Sequence, residues 1–280
     1  MATTCAGAGA GAGDDVSVSG GALKFIAVSI PNKKKKHGVT QEIEFYADSP
    51  NGGGGGGVGS GEESESIVVL LLHASSGKPK GGANSKATRA ILKSIRENVP
   101  RATVLRPEAK GTSVPPRAAQ TQAFVRAIAA DESGVLPLGK RRKWLIVGYS
   151  FGTRVASATM SDISAWLPDG DELIGGLLVA FPATNGSDFE KIRDEPTRIE
   201  ADVVRLAFIR GTNDKLARAS EFDGIYDRVS AKKRRWDIAA DHGMAFNEAM
   251  TKDAIKNATS YLMSQEEEED VPDAKRQKKV

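Results

Sequence analysis

The sequence has little of three things: cysteine, long apolar runs and an excess of charge of one sign. Its single cysteine, Cys5, excludes a disulfide framework and a cysteine metal site within the chain, so we expect a reducing compartment. No stretch approaches the roughly 18 apolar residues of a membrane span, and the first residues lack the basic and apolar parts of a signal peptide. We therefore expect a soluble intracellular protein that does not enter a membrane.

The opposite charges nearly cancel. With 39 basic and 36 acidic side chains the net charge is +3, which does not indicate direct nucleic-acid binding by the chain as a whole. Hydrophobic residues make up 40% of the 280 positions, enough for a sizeable core in one or two domains. A function must therefore be sought in local motifs.

Low-complexity segments flank and interrupt the remainder. Residues 1–20 are rich in Ala and Gly, residues 49–65 contain a run of six glycines, and residues 264–280 are first acidic and then basic. These segments have too few apolar side chains to offset the entropy cost of ordering. We expect two disordered tails and a flexible insert around one folded domain at 21–263.

Strand-like and helix-like patterns alternate through that domain. Residues 23–30 and 41–46 predict an antiparallel hairpin, and further strands are predicted at 66–72, 102–107, 142–147, 173–181, 203–210 and 236–239. Helices are predicted at 84–98, 118–130, 153–165 and 246–263. Such alternation is typical of an α/β fold whose mostly parallel sheet carries helices on both faces.

The most informative stretch is a buried strand that runs into Gly148-Tyr149-Ser150-Phe151-Gly152. Gly-x-Ser-x-Gly between a strand and a helix is typical of a nucleophile elbow, a sharp turn that exposes a serine hydroxyl at its tip. Gly148 and Gly152 leave room for that turn. In a chain with 30 glycines the motif also arises by chance, but the flanking strand and helix favour the elbow.

A serine nucleophile needs a base and a group that orients the base, and the sequence offers one candidate for each. Asp214 follows the strand at 203–210, and His242 follows the strand at 236–239. The order Ser, acid, His is that of the α/β hydrolases. Taken singly, Asp214 also fits a turn and His242 a helix start or a surface position. The neighbouring Asp241 fits a helix N-cap better than the acid.

Acyl transfer also requires two donors for the developing oxyanion. The N–H of Phe151 lies at a helix start, and the second donor is expected in the loop after the strand at 66–72, at Ala74 or Ser75. His73 in the same loop precedes the elbow in the chain. We interpret it as a loop-packing histidine bonded to the backbone.

Two basic segments have open roles. The predicted hairpin tip holds Lys33, Lys34, Lys35 and Lys36, which either face water or bind an anionic protein partner. The tail residues Lys275, Arg276, Lys278 and Lys279 fit a nuclear-import signal or a solvated tail. Both cytoplasmic and nuclear locations are therefore open.

Five motifs resemble a known family when taken together: Leu72-His73-Ala74-Ser75-Ser76-Gly77, Val147-Gly148-Tyr149-Ser150-Phe151-Gly152-Thr153-Arg154, Phe181-Pro182, Gly211-Thr212-Asn213-Asp214 and Ala240-Asp241-His242-Gly243. They resemble the dienelactone-hydrolase-like branch of the α/β hydrolases. Within that branch they are similar to the group that contains testis-expressed protein 30 and the third regulatory subunit of the non-specific lethal (NSL) histone acetyltransferase complex.

The resemblance implies one hydrolase domain with little or no lid, a triad of Ser150, Asp214 and His242, and no cofactor or metal. Dienelactone hydrolases use a cysteine nucleophile, so their lactone substrate is not carried over to a chain with Ser150. Two hypotheses follow. The first is a serine hydrolase acting on a small carboxylic ester or thioester. The alternative is a non-catalytic scaffold of a nuclear chromatin-modifying complex, which would have no need of three such side chains at strand ends.

Overall fold

The computed structural model describes residues 22–30, 39–49, 66–74, 82–130, 135–136, 141–184, 193–200, 204–246 and 248–264. The lysine-rich hairpin tip, the glycine-rich insert, Ser75 and both tails lie outside these residues.

An eight-stranded sheet organises the described chain. Its strands are β1 (Ala22–Ile30), β2 (Val39–Asp48), β3 (Ser66–Leu72), β4 (Thr103–Pro107), β5 (Arg142–Tyr149), β6 (Glu172–Val179), β7 (Arg205–Gly211) and β8 (Lys232–Ile238). They lie in the order β1-β2-β4-β3-β5-β6-β7-β8. β1 and β2 form an antiparallel pair, β2 is antiparallel to β4, and β3 to β8 pair in parallel. The predicted α/β class and the antiparallel N-terminal hairpin are confirmed.

Helices cover both faces of the sheet. They are α1 (Lys86–Asn98), α2 (Val114–Ala130), α3 (Phe151–Met160), α4 (Ala219–Tyr226) and α5 (Ala249–Met263), with a 3₁₀ helix at Glu195–Arg198. Alternate side chains of β3 point to opposite faces, so Val68 and Leu70 pack in the core under α2, α3 and α4, whereas Val69 and Leu71 pack under α1 and α5. This two-sided burial explains the unbroken apolar run of β3.

The element boundaries differ from the sequence prediction where polarity hides the element. β8 begins at Lys232, four residues before the predicted start. The apolar pattern did not reveal these residues because β8 is an edge strand whose Lys and Arg side chains reach water. The predicted third helix ends at Met160 instead of 165. The short helix α4 was not predicted.

None of the described helices has both the length and the apolarity to span a lipid bilayer.

Candidate active site

Ser150 occupies a sharp turn between β5 and α3. Its backbone has φ 52° and ψ −120°, a conformation that costs a non-glycine residue on the order of 1–3 kcal/mol. Two backbone hydrogen bonds hold the turn. The Ser150 N–H donates to the carbonyl of Val179 at 2.9 Å, and the Thr153 N–H donates to the carbonyl of Ser150 at 2.9 Å. The surrounding structure therefore fixes the direction in which the serine side chain leaves the sheet.

Both motif glycines are required by close backbone contacts. A Cβ atom on Gly148 would lie 2.6 Å from the Cα of Thr153, and one on Gly152 would lie 2.2 Å from the carbonyl oxygen of Leu72. Real Cβ atoms do not approach other atoms so closely. The first turn of α3 therefore packs directly against the end of β3, which places Phe151 beside the loop that follows β3.

The structure brings Ser150, His242 and Asp214 into one hydrogen-bonded chain. Ser150 Oγ lies 2.7 Å from His242 Nε2, and His242 Nδ1 lies 2.8 Å from Asp214 Oδ2. The Asp214 carboxylate is fully buried, and its Oδ1 accepts the Leu216 N–H at 2.8 Å. A carboxylate bound to Nδ1–H leaves Nε2 as an acceptor for the serine hydroxyl proton.

Backbone contacts between the ends of β7 and β8 account for the meeting of acid and base. The Thr212 N–H donates to the carbonyl of Ile238 at 2.8 Å, and the Asn213 N–H donates to the carbonyl of Ala240 at 3.0 Å. A Cβ atom on Gly211 would lie 2.3 Å from the carbonyl oxygen of Ala240. The two loops are therefore joined just before Asp214 and His242.

Asp241, the sequence neighbour of His242, has a local structural role. Its Oδ1 accepts the Gly243 N–H at 2.8 Å. It therefore closes a turn and does not cap the following helix, which begins at Ala249. The expectation of an N-cap at this position is wrong, because the chain makes an additional turn before α5.

Tyr149 supports the histidine and was missed by sequence reasoning. Its hydroxyl donates to the carbonyl of His242 at 3.3 Å, and its ring packs against Phe246 with centroids 5.3 Å apart. Burial, followed by the charges of Asp214 and Asp241, raises the pKa of Tyr149 to about 12. The phenol therefore keeps its proton and remains a donor at neutral pH. A variable position in the motif carries no sequence signal for such a role.

The loop after β3 lies on the other side of the elbow. Ala74 follows the strand end, Phe151 is the half-buried first residue of α3, and Ser75 is outside the described residues. His73 is fully buried, and its Nδ1 lies 2.7 Å from the carbonyl oxygen of Ala74, in agreement with the predicted backbone bond. Arg117 of α2 also reaches this loop and was not singled out in the sequence.

Metal ligation finds no support among the residues that the structure describes, where no group of three or more His, Cys, Asp and Glu side chains is placed to hold an ion.

Solved structures similar to this chain share its architecture. A serine hydrolase without a lid from Xanthomonas campestris has a TM-score of 0.53 and 14% identity over 85% of this chain and 94% of its own. An esterase from Pyrococcus furiosus gives 0.57 and 14%, over 86% and 92%. A dienelactone hydrolase from Anabaena variabilis gives 0.54 and 13%, over 86% and 96%. At such identities the likeness supports the fold.

A search of curated proteins finds no significant match. The sequence itself nevertheless matches a family model, described as an alpha/beta hydrolase domain, over residues 102–266. The matched region is more than half of the chain and contains β5 to β8, the elbow, Asp214 and His242. The chain therefore belongs to the α/β-hydrolase domain family.

Proposed function

We propose that the protein is a serine hydrolase that cleaves a carboxylic ester or thioester. In this proposal Ser150 is the nucleophile, His242 the general base and Asp214 the group that orients the base. One observation carries it: the two hydrogen bonds of 2.7 and 2.8 Å that link the three side chains from hydroxyl to carboxylate. Nucleophile, base and orienting acid within hydrogen-bond reach are the geometry that acyl transfer requires.

The reaction proceeds through an acyl-enzyme. Ser150 attacks the substrate carbonyl while His242 Nε2 takes its proton, and Asp214 stabilises the imidazolium that forms. His242 then gives the proton to the departing alcohol or thiol, which leaves Ser150 acylated. A water molecule, deprotonated by His242, attacks the acyl carbon, and the acid is released as the bond to Ser150 Oγ breaks and His242 returns the proton to Oγ. The N–H groups of Phe151 and of Ala74 or Ser75 bind the oxyanion in both steps.

The α/β-hydrolase domain supports a small-molecule substrate, and the partial exposure of the site residues is compatible with one. Ser150 is half-buried and the His242 side chain is 29% exposed, whereas Asp214 is sealed from water. Ser150 and His242 are thus partly open to solvent, while the buried carboxylate interacts with the imidazole in an environment of lower dielectric constant.

We also propose that the chain belongs to a particular group within the α/β hydrolases. The motifs around His73, Ser150 and His242 support placement beside testis-expressed protein 30 and the NSL complex subunit. The alternative hypothesis of a nuclear scaffold rests on the same resemblance and on the basic tail. In that hypothesis the import signal consists of Lys275, Arg276, Lys278 and Lys279. The linked side chains favour the enzyme, because a scaffold needs no hydrogen bond between a serine and a histidine.

A fluorophosphonate probe tests the nucleophile. Purified wild-type protein should be labelled, and Ser150→Ala should not be labelled while keeping its circular dichroism spectrum. Ser161→Ala is the matched control, because Ser161 caps the other end of α3 and should leave labelling unchanged. Equal labelling of Ser150→Ala would overturn the assignment. A folded wild-type protein that resists the probe and a panel of p-nitrophenyl esters and acyl thioesters would favour the scaffold.

A further inference from the structure

Arg117 is a buried cation beside the elbow with no part in the chemistry described so far. It lies in the first turn of α2, after Pro115 and Pro116, and is 1% exposed. Its Nη1 donates to the carbonyl of Ala74 at 3.3 Å and its Nη2 to the carbonyl of His73 at 3.2 Å. The same Nη2 lies 3.4 Å from His73 Nε2. One side chain thus holds two successive carbonyl groups of the loop after β3.

The hydrogen bonds from Arg117 to these carbonyls also orient the backbone N–H of Ala74. A peptide unit is planar and trans, so its carbonyl and the N–H of the next residue point in opposite directions. Arg117 holds the carbonyl of His73, and this sets the direction of the Ala74 N–H. The Ala74 N–H is one of the groups proposed above as the second oxyanion donor.

The same guanidinium contacts the residue that supplies the first donor. Arg117 Cζ lies 5.1 Å from the centroid of the Phe151 ring, within the range of a cation–π contact. Arg154 also approaches that ring, at 5.5 Å, but its Nε donates to Glu195 Oε1 at 2.8 Å. Arg117 is therefore the cation that touches both sides of the predicted oxyanion hole.

A charged side chain is an expensive way to pack this position. Burial lowers the pKa of Arg117 to about 10, although the Glu108 carboxylate acts in the opposite direction. The side chain is therefore still a cation at neutral pH, and its burial is unfavourable unless the hydrogen bonds that it donates are needed. The hydrogen bonds that the Nη atoms donate go to the carbonyls of the loop, whereas Nε has no hydrogen-bond partner among the described residues.

We propose that Arg117 is a positioning residue that fixes the oxyanion donors by holding the carbonyls of His73 and Ala74 and the ring of Phe151. The proposal rests on the proposed serine hydrolase function. Among the described residues, the hydrogen bonds of Arg117 go to the loop after β3 and not to Ser150 or His242, so Arg117 acts through the backbone groups that would bind the oxyanion. The planar guanidinium is suited to two carbonyls at once, whereas a lysine ammonium offers a single point charge.

Kinetics with p-nitrophenyl acetate provide the first test. Arg117→Met should lower kcat by roughly 10- to 100-fold and change KM by less than about twofold, because the donors matter most in the transition state. Arg117→Lys should fall between Arg117→Met and wild type. Arg154→Met is the matched control: it removes the other cation over Phe151 and an ion pair with Glu195, and should keep kcat within about twofold of wild type. An active wild type with unchanged kcat in Arg117→Met would overturn the proposal.

A crystal structure of the variant separates this proposal from the proposed function. In Arg117→Met the peptide between His73 and Ala74 should be rotated or disordered, whether or not the protein hydrolyses an ester. If the wild type is inert but this peptide moves, the enzyme proposal fails and the oxyanion role fails with it, whereas the hydrogen bonds of Arg117 are shown to set the conformation of the loop. If the peptide keeps its orientation, the positioning role fails. Should Arg117→Met not fold, Arg117→Lys is examined in the same two ways.

Discussion

The two sides of the candidate site are held by different means. On the side of Ser150, Asp214 and His242, main-chain atoms pack so closely that Gly148, Gly152 and Gly211 cannot carry a Cβ atom. On the side of the loop after β3, a long charged side chain from α2 reaches two carbonyl groups, of which only that of His73 is also packed against Gly152.

This difference has a physical consequence. A backbone contact at van der Waals distance leaves no room for adjustment, so the nucleophile side should tolerate almost no added atom. A side-chain hydrogen bond can lengthen or be replaced by water, so the loop side should respond to mutation by degrees. We therefore expect a single added atom on the nucleophile side to cause a large loss of stability, whereas substitutions on the oxyanion side should lower kcat by degrees.

The largest expected loss of kcat comes from the side-chain hydrogen bonds among Ser150, His242 and Asp214. Asp214→Asn keeps the size of the residue, but the amide NH₂ favours the wrong imidazole tautomer, and kcat should fall by about 10⁴-fold. Steady-state ester hydrolysis measures this loss. Asp241→Asn is the control, since its carboxylate accepts the Gly243 N–H and makes no bond to the ring of His242 in the described structure. A loss below tenfold in Asp214→Asn would contradict its role.

A single methyl group should break the backbone-built side. Gly152→Ala places a Cβ 2.2 Å from the carbonyl oxygen of Leu72, where only movement of the main chain gives relief. We expect the free energy of unfolding to fall by about 3 kcal/mol or more, measured by urea denaturation. Gly224→Ala in α4 meets no atom within 4 Å and should be neutral or stabilising by up to about 1 kcal/mol. Equal stability of the two variants would remove the basis of the comparison.

The smallest effect is expected where a side chain merely supports the backbone of His242. Tyr149→Phe removes the hydrogen bond of 3.3 Å to the His242 carbonyl, and kcat should fall by roughly 2- to 10-fold, the value of one ordinary hydrogen bond. With the pKa of Tyr149 raised to about 12, the hydroxyl stays protonated below that pH. The ratio of wild-type to variant kcat should therefore be constant from about pH 6 to about pH 9. A ratio that changes within this range would contradict the expectation that the phenol acts only as a constant donor.

Sequence reasoning succeeded where one local pattern carries the information. The apolar run of β3 and the Gly-x-Ser-x-Gly turn each depend on a few consecutive residues whose burial or backbone conformation is set locally. The positions of Asp214 and His242 followed from the rule that parallel strands end at one edge of the sheet. Whether the three side chains perform catalysis stays a prediction that the probe and kinetic experiments test.

The failures have an equally physical cause. Polar side chains hide an edge strand such as β8, and α4 is too short for a clear helical period. Arg117 stands 44 positions from His73, and nothing in its neighbourhood along the chain marks it as different from a surface arginine.

The sequence by itself determined the α/β class, the hairpin at the start and the residues that stand at the strand ends, because periodicity and turn chemistry act over a few neighbouring positions. The sequence also favoured Asp214 over Asp241 as the acid, but only the tertiary structure decided that Asp214 meets the imidazole and that Tyr149 and Arg117 support the two sides of the site. Those contacts depend on ångström-scale distances between elements far apart in the chain, which no local pattern encodes.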